Sequence, residues 1–467
     1  MRHVMFGLML SLVGCSAGVS FDSTWEAVED HRIFSSIRAT DLNGDGIRDV
    51  VVGHGKETLP KEGFVTARDG ASGDLLWRID TGDEMVGSAA LGHLTDDDAA
   101  DIVIGGRDGK LYAIDGTAGR LLWEFNADVP LGQERWLNFY TPQFVGDVDE
   151  DGHPDLLVAN GGDSGLPPFF PRPPGHLVLL SGASGGVLSV SQTPDAAETY
   201  MSALPYRRAS DDVDLVVFGT GGETKAGSLW VVDFDEVLRG DIGSAIQIIA
   251  PLADRGMVAP PSLVDLTNDG TPEIVIATFD GRLIAIDGET LDAIWAVEVD
   301  EAETWASPAI GFFDDDSVPD VFAAFSIGRL PDYRESVLVA LSGATGEELW
   351  RQTFEQPIVT SPLAVDVSGD GKDEIIIALS PLFTGDQVVL LVDPDRRDSS
   401  MLIERTARSF GTGLVADLDG DGSIEYVGSS FDGDNSLIER RDLGVPTPDR
   451  ISWGAYLGTD YDGAFGG

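Results

Sequence analysis

One motif recurs along the chain and limits the folds open to it: Asp-x-Asp/Asn/Thr/Ser-x-Asp-Gly-x-x-Asp/Glu, followed at once by an apolar run. Intact copies read DLNGDGIRDVVVG from Asp41, DVDEDGHPDLLVA from Asp147, DLTNDGTPEIVIA from Asp265, DVSGDGKDEIIIA from Asp366 and DLDGDGSIEYVGS from Asp417. Weaker copies start at His93 and Phe312. An eroded copy at Tyr206 keeps only Asp214 and the strand LVVFG. The spacing is about 50 residues throughout, the mark of an array in which each unit buries its apolar face only against its neighbours.

A second motif alternates with the first: GFVTARDGASGDLLW from Gly63, GKLYAIDGTAGRLLW from Gly109, GRLIAIDGETLDAIW from Gly281 and SVLVALSGATGEELW from Ser336, with a worn copy, GHLVLLSGASGGVLS, from Gly175. Each reads as strand, Gly-rich tight turn, strand. Trp77, Trp123, Trp295 and Trp350 recur at one position of the closing strand and predict a packing layer between adjacent sheets. The second unit shows four strands: SAALGHL, DIVIGG, KLYAID and LLWEFN. A four-stranded antiparallel sheet repeated radially is a propeller blade. The expected fold is therefore all-β, a β-propeller of eight four-stranded blades, with seven as the alternative if one terminal unit only completes another blade. The expected domains are a signal peptide at 1–14, an anchor or linker at 15–32 and a single propeller at 33–467.

The Asp-rich motif resembles the FG-GAP/VCBS repeat of integrin-type propellers. The Gly-Leu-Tyr-Ala-Ile-Asp-Gly-x-x-Gly-x-x-x-Trp motif resembles the repeat of quinoprotein dehydrogenase-like (PQQ-like) propellers, usually eight-bladed. The second resemblance implies a fold, because one scaffold hosts many activities.

The aspartates predict calcium. Calcium takes 6–8 oxygen ligands, and Asp-x-Asp-x-Asp-Gly brings alternate side chains to one centre, as in the first half of an EF-hand loop. The sixth-position Gly allows the sharp turn, and a β-run rather than a helix follows each loop. The expected ligands are Asp41, Asn43, Asp45 and Asp49; Asp147, Asp149, Asp151 and Asp155; Asp265, Thr267, Asp269 and Glu273; Asp366, Ser368, Asp370 and Glu374; and Asp417, Asp419, Asp421 and Glu425. That makes about five structural ions, each stapling a loop that has no disulfide. The weak copies at His93 and Phe312 stand between an ion site and a plain acidic turn.

Arg2 and the apolar stretch Val4–Val13 have the shape of a secretory signal, too short to span a bilayer. Leu12-Val13-Gly14-Cys15 resembles a bacterial lipobox, and Cys15 is the sole cysteine, so lipidation of Cys15 is expected and an intrachain disulfide is excluded. Ser16, rather than Asp, follows it. The implied location is the cell envelope, lipid-anchored, at the outer membrane or cell surface if the cell is Gram-negative. A formal net charge of −50 excludes nucleic acid as a partner.

Strand order puts the Asp loops and Gly-rich hairpins on one face. The other face collects the second-to-third-strand loops and the blade connections, and there the chain departs from its repeat. Unit three inserts NGGDSGLPPFFPRPPG, unit six inserts SIGRLPDYRES, and the connection before unit three carries aromatics. Enlarged loops on a rigid scaffold are where binding residues collect. The candidate ligand face is Arg135, Trp136, Phe139, Tyr140, Phe169, Phe170, Arg172, Arg329 and Tyr333, beside Arg334, suited to a protein or glycan partner. No catalytic set is nominated. The six His form no metal-ligand spacing, and the adjacent cysteine pair of many quinoprotein dehydrogenases is missing. The expectation is a binding or scaffolding module resembling adhesion propellers and the propeller lipoprotein of the outer-membrane assembly machine. A polysaccharide lyase-like carbohydrate-active enzyme and a quinone-dependent dehydrogenase are the alternatives on the same fold.

Overall fold

The computed structural model describes residues 22–56, 61–126, 136–163, 165–167, 169–251, 254–382 and 385–466. The signal sequence, Cys15 and Arg135 lie outside the described residues. The strands form eight sheets, the blades of one propeller. In the second blade Ala90–Gly92 is innermost, Asp101–Gly105 and Lys110–Asp115 follow, and Arg120–Asn126 is at the rim, each antiparallel to the last. The two middle strands are buried almost throughout because neighbouring blades cover both their faces, so they read as unbroken apolar runs. The rim strand has one wet side and alternates.

The apolar clusters lie between blades rather than within them. One joins Val51, Val65 and Trp77 of the first blade to Ile102, Tyr112 and Ile114 of the second. The tryptophans form the expected layer, with one addition. Trp77 Nε1 donates to Gly116 O, Trp123 Nε1 to Gly182 O and Trp295 Nε1 to Gly343 O, each at 2.7 Å and each into the hairpin of the next blade. The turn glycine faces the ring: a Cβ on Gly119 would stand 2.3 Å from Trp77 Cγ. Trp350 instead stacks on Phe322 of its own blade, with ring centroids 5.9 Å apart.

The addition is Trp25, on the strand Asp22–Asp30 that forms the rim of the eighth blade by pairing with Asn435–Pro446. The propeller therefore takes in Asp22–Asp30, ahead of the expected start at residue 33, because the outer strand of the last blade is supplied by the N-terminal side of the chain. This closes the ring at eight blades rather than seven.

Two devices fill and lace the axis. Backbone N–H groups of Ser307, Ser361, Thr412, Ser36 and Ser88 donate in turn to the hydroxyls of Ser361, Thr412, Ser36, Ser88 and Thr141, at 2.9–3.1 Å, from blade to blade. Below this belt the segment 451–465 lies against the inner strands. Trp453 exchanges backbone bonds with Ala364, Gly454 O accepts from Val415 N, and Gly463 O accepts from Leu263 N. Trp453, Ala455 and Leu457 are fully buried. Arg38 projects into the same space, donating to Ala89 O and Tyr456 O with its guanidinium 4.4 Å from the Tyr461 ring. Burial there lowers its pKa to about 10. Among the described residues no helix is long and apolar enough to cross a membrane.

Candidate functional site

On the lower face each Asp loop is built by its own carboxylates. Asp41 Oδ1 accepts from Gly44 N at 2.8 Å and its Oδ2 from Gly46 N at 2.9 Å. The first aspartates of the other four loops likewise take the N–H of the sixth residue. The sixth residue sits at φ between 85° and 99° in all five loops, which is why it is Gly. The fifth-position Asp45, Asp151, Asp269, Asp370 and Asp421 each spend one oxygen on the N–H two residues on.

The ninth-position acid has a task that the spacing alone does not reveal. Asp49 is fully buried, and its two oxygens accept from Leu42 N at 3.0 Å and Gly70 N at 3.1 Å. It thus ties the loop to the Gly-rich hairpin of the same blade. Asp101, Asp155 and Asp320 do the same with Gly116, Gly182 and Gly343. Burial pushes Asp49 up to about 6, and Glu374 and Glu425 to about 7. A carboxylate disfavoured in this way gains from a nearby cation.

The donor sets fit a hard cation in part. Ligand oxygens of Asp147, Asp149 and Asp155 lie within 4.8 Å of one another, as do those of Asp417, Asp419 and Glu425. The copy at Phe312 brings Asp314, Asp316 and Asp320 together equally well. The loops with Asn43, Thr267 and Ser368 at the third position add a neutral oxygen there, and Thr267 Oγ1 donates to Glu273 Oε1 at 3.2 Å. Other loops already hold a guanidinium. In the eroded fourth copy Arg207 pairs with Asp212 and Asp214, and Arg208 with Asp211. In the eighth, Arg440 pairs with Asp419 and Glu425.

The upper face carries a second constellation. Tyr333 Oη donates to Glu303 Oε2 at 2.6 Å, Arg255 Nη2 pairs with Glu303 Oε1 at 2.7 Å, and the Leu330 N–H donates to Glu303 Oε2 at 2.9 Å. Glu303 is therefore buried yet fully used. Trp305 stands edge-on to both Tyr333 and Phe279, and its Nε1 donates to Glu223 Oε1 at 2.9 Å. Beside them a cavity of about 730 Å³ is lined by Arg255, Phe279, Glu298, Glu303, Arg329 and Arg334, among others. Farther round the axis Tyr200 Oη donates to Glu198 Oε2 at 3.2 Å, Arg172 Nε lies 3.5 Å from the same oxygen, and the Tyr140 ring is 6.1 Å from that of Tyr200. Burial raises Glu198 to about 7 and also raises Glu223.

Of the expected ligand face, Arg329 and Tyr333 lie at the cavity, Tyr140 and Arg172 in the group around Glu198, and Phe169 and Phe170 are exposed at 62% and 55%. Trp136 and Phe139 are corrections. Phe139 is fully buried between the second and third blades, and Trp136 stacks on His176 with centroids 4.5 Å apart. Both fill the seam under the inserted loop instead of facing a ligand. Glu198, Glu223, Arg255, Glu303 and Trp305 were missed. Only Trp305 carried a signal, as an aromatic in a blade connection.

Among solved structures, 15% of residues are identical to BamB from Moraxella catarrhalis, with a TM-score of 0.53 over 90% of this chain and 97% of that one. The quinohemoprotein alcohol dehydrogenase ADHIIG from Pseudomonas putida HK5 is 13% identical, with a TM-score of 0.61 over 93% and 78%. The exotype rhamnogalacturonan lyase YesX is 15% identical, with a TM-score of 0.56 over 89% and 72%. These likenesses concern the fold. No curated protein matches the chain by sequence. The model of the FAM234A/B β-propeller matches residues 56–369, well over half of the chain. Eight blades with interleaved PQQ-like hairpins agree with that match, and the chain belongs to the FAM234A/B β-propeller family.

Proposed function

We propose that the chain is a binding propeller whose upper face docks a protein partner. The observation that carries this reading is the cavity beside Tyr333, Glu303, Arg255 and Trp305. Phe279, Arg255, Arg329 and Arg334 line it and Tyr333 and Trp305 stand beside it, side chains of the kind that anchor interfaces, with Tyr333 and Arg255 held by the buried Glu303 and Trp305 by Glu223. Lower-face loops brace the blades through calcium, with Asp147, Asp149 and Asp155 one set of three clustered carboxylates and Asp314, Asp316 and Asp320 another. Calcium would supply charge neutralisation there, and Asp155 would still tie loop to hairpin. A lipid on Cys15 would hold the disc at the cell envelope.

The experiment is a binding comparison. Candidate envelope proteins and a glycan array are presented to the folded domain and to its Trp305→Ala and Tyr333→Ala variants. Saturable binding to a protein that both variants weaken supports the reading. Binding to a glycan alone, or protein binding indifferent to both variants, rejects it. Lipid labelling that survives Cys15→Ala rejects the anchor.

A further inference from the structure

We infer that Arg440 is the resident cation of the eighth Asp loop and stands where a calcium ion is proposed for the intact loops of other blades. The inference rests on the calcium reading for those other loops. Its basis is a departure from the repeat at one position. On the third strand of the first seven blades, the residue paired with the position two beyond the ninth-position acid is apolar: Ala67, Ala113, Leu179, Val232, Ala285, Ala340 and Leu391 in turn. In the eighth blade the residue paired with Val427 is Arg440.

The side chain is 3% exposed and reaches into its own loop. Nη2 pairs with Asp419 and lies 3.0 Å from Glu425 Oε1, while Nη1 donates to Gly70 O at 2.9 Å. Asp419 and Glu425 are two of the three acids whose oxygens crowd within 4.8 Å in this loop, so the guanidinium lies between the groups an ion would need. A calcium ion there would have to displace a buried charge from two carboxylates and a carbonyl, leaving it unpaired, which is strongly unfavourable. The seventh loop makes the contrast. Arg396 pairs with Asp370 at 2.6 Å, but it is 50% exposed on a hairpin and free to swing into water.

The position of Arg440 adds a purpose. The eighth blade is the closing seam, and Gly70 belongs to the first blade. A covalently held cation makes this seam independent of calcium supply, whereas an ion-filled loop would loosen whenever calcium fell.

The test measures bound calcium per chain by equilibrium dialysis with metal analysis, and melting in chelator and in calcium, for the whole protein and its variants. Asp149→Asn should lose one equivalent, and Asp419→Asn none. Arg440→Gln should gain one equivalent, melt lower than wild type in chelator and recover in calcium. Arg440→Lys, which keeps a charge, should bind as wild type does. Loss of an equivalent in Asp419→Asn, or Arg440→Gln melting like wild type in chelator, overturns the inference. If Arg440→Gln fails to fold, the Asp419→Asn count still decides. If wild type binds no calcium at all, the calcium reading of the other loops falls instead, and the chelator melt of Arg440→Gln against wild type decides the role of Arg440.

Discussion

Trp25 and Arg440 face each other on adjacent strands and donate to the same carbonyl, that of Gly70, each at 2.9 Å. Among the described residues one comes from the first strand and the other from the last, and the acceptor is in the first blade. The clamp is where an otherwise repetitive ring differs from itself, and it makes the N-terminal strand part of the fold.

Trp25→Phe keeps most of the packing and removes the hydrogen bond, so it should cost about 1 kcal/mol. Trp25→Ala leaves a cavity at the seam and should cost about 3–5 kcal/mol. Urea unfolding of both variants beside wild type checks the pair. Equal stabilities would mean the strand Asp22–Asp30 adds nothing to closure.

Gly119 tests the tryptophan layer away from the seam. Its φ is 59° and a Cβ would meet Trp77 Cγ at 2.3 Å. Gly119→Ala should therefore destabilise by about 2 kcal/mol or more, since left-handed strain and overpacking act together. The double variant with Trp77→Ala should show a coupling, because removing the ring relieves the clash.

Much of this was legible in the sequence, and what was not has a physical cause. The blades were readable because each middle strand is buried on both faces and each hairpin needs its glycines. Trp25 escaped because its strand, DSTWEAVED, stands alone: the hairpin partner that accompanies Trp77, Trp123, Trp295 and Trp350 is here at the far end of the chain. The upper-face acids escaped for a similar reason. Glu223 meets Trp305 across 82 residues, and Glu303 meets Arg255 across 48, so no local pattern announces them. Phe139 was misplaced because an aromatic in a connection looks the same whether it faces the solvent or the seam.

Acidity should stabilise the fold through Glu198. Burial raises its pKa to about 7 from the ordinary 4.5, so the folded state keeps a proton that the unfolded chain releases. The penalty is absent below about pH 4.5, grows as pH rises through the window and is complete above about pH 7, on the order of 3 kcal/mol. Thermal unfolding of wild type and Glu198→Gln from pH 5 to pH 8 checks this. The variant should lose part of the decline with pH, and parallel curves would assign the proton elsewhere.

Glu303→Gln should disturb the upper face more than its size suggests. It leaves Arg255 without a counter-charge and weakens the bond from Tyr333, a loss of roughly 3–5 kcal/mol for breaking a buried pair. Tyr333→Phe, by contrast, should cost about 1 kcal/mol. Denaturation midpoints for the two variants, set beside their partner binding, separate a structural role from a contact role.

The segment within the axis also sets an order of events. Trp453 and Leu457 follow the eighth blade in the chain yet sit at the centre of the disc, so the interior is finished only after the walls around it exist. Arg38 waits for Tyr456, 418 residues later, before its charge is enclosed. Closure across so long a span is slow. Through that interval the inner strands face an empty bore, and the growing polypeptide depends on timing, or on a chaperone, to keep that surface from finding another molecule.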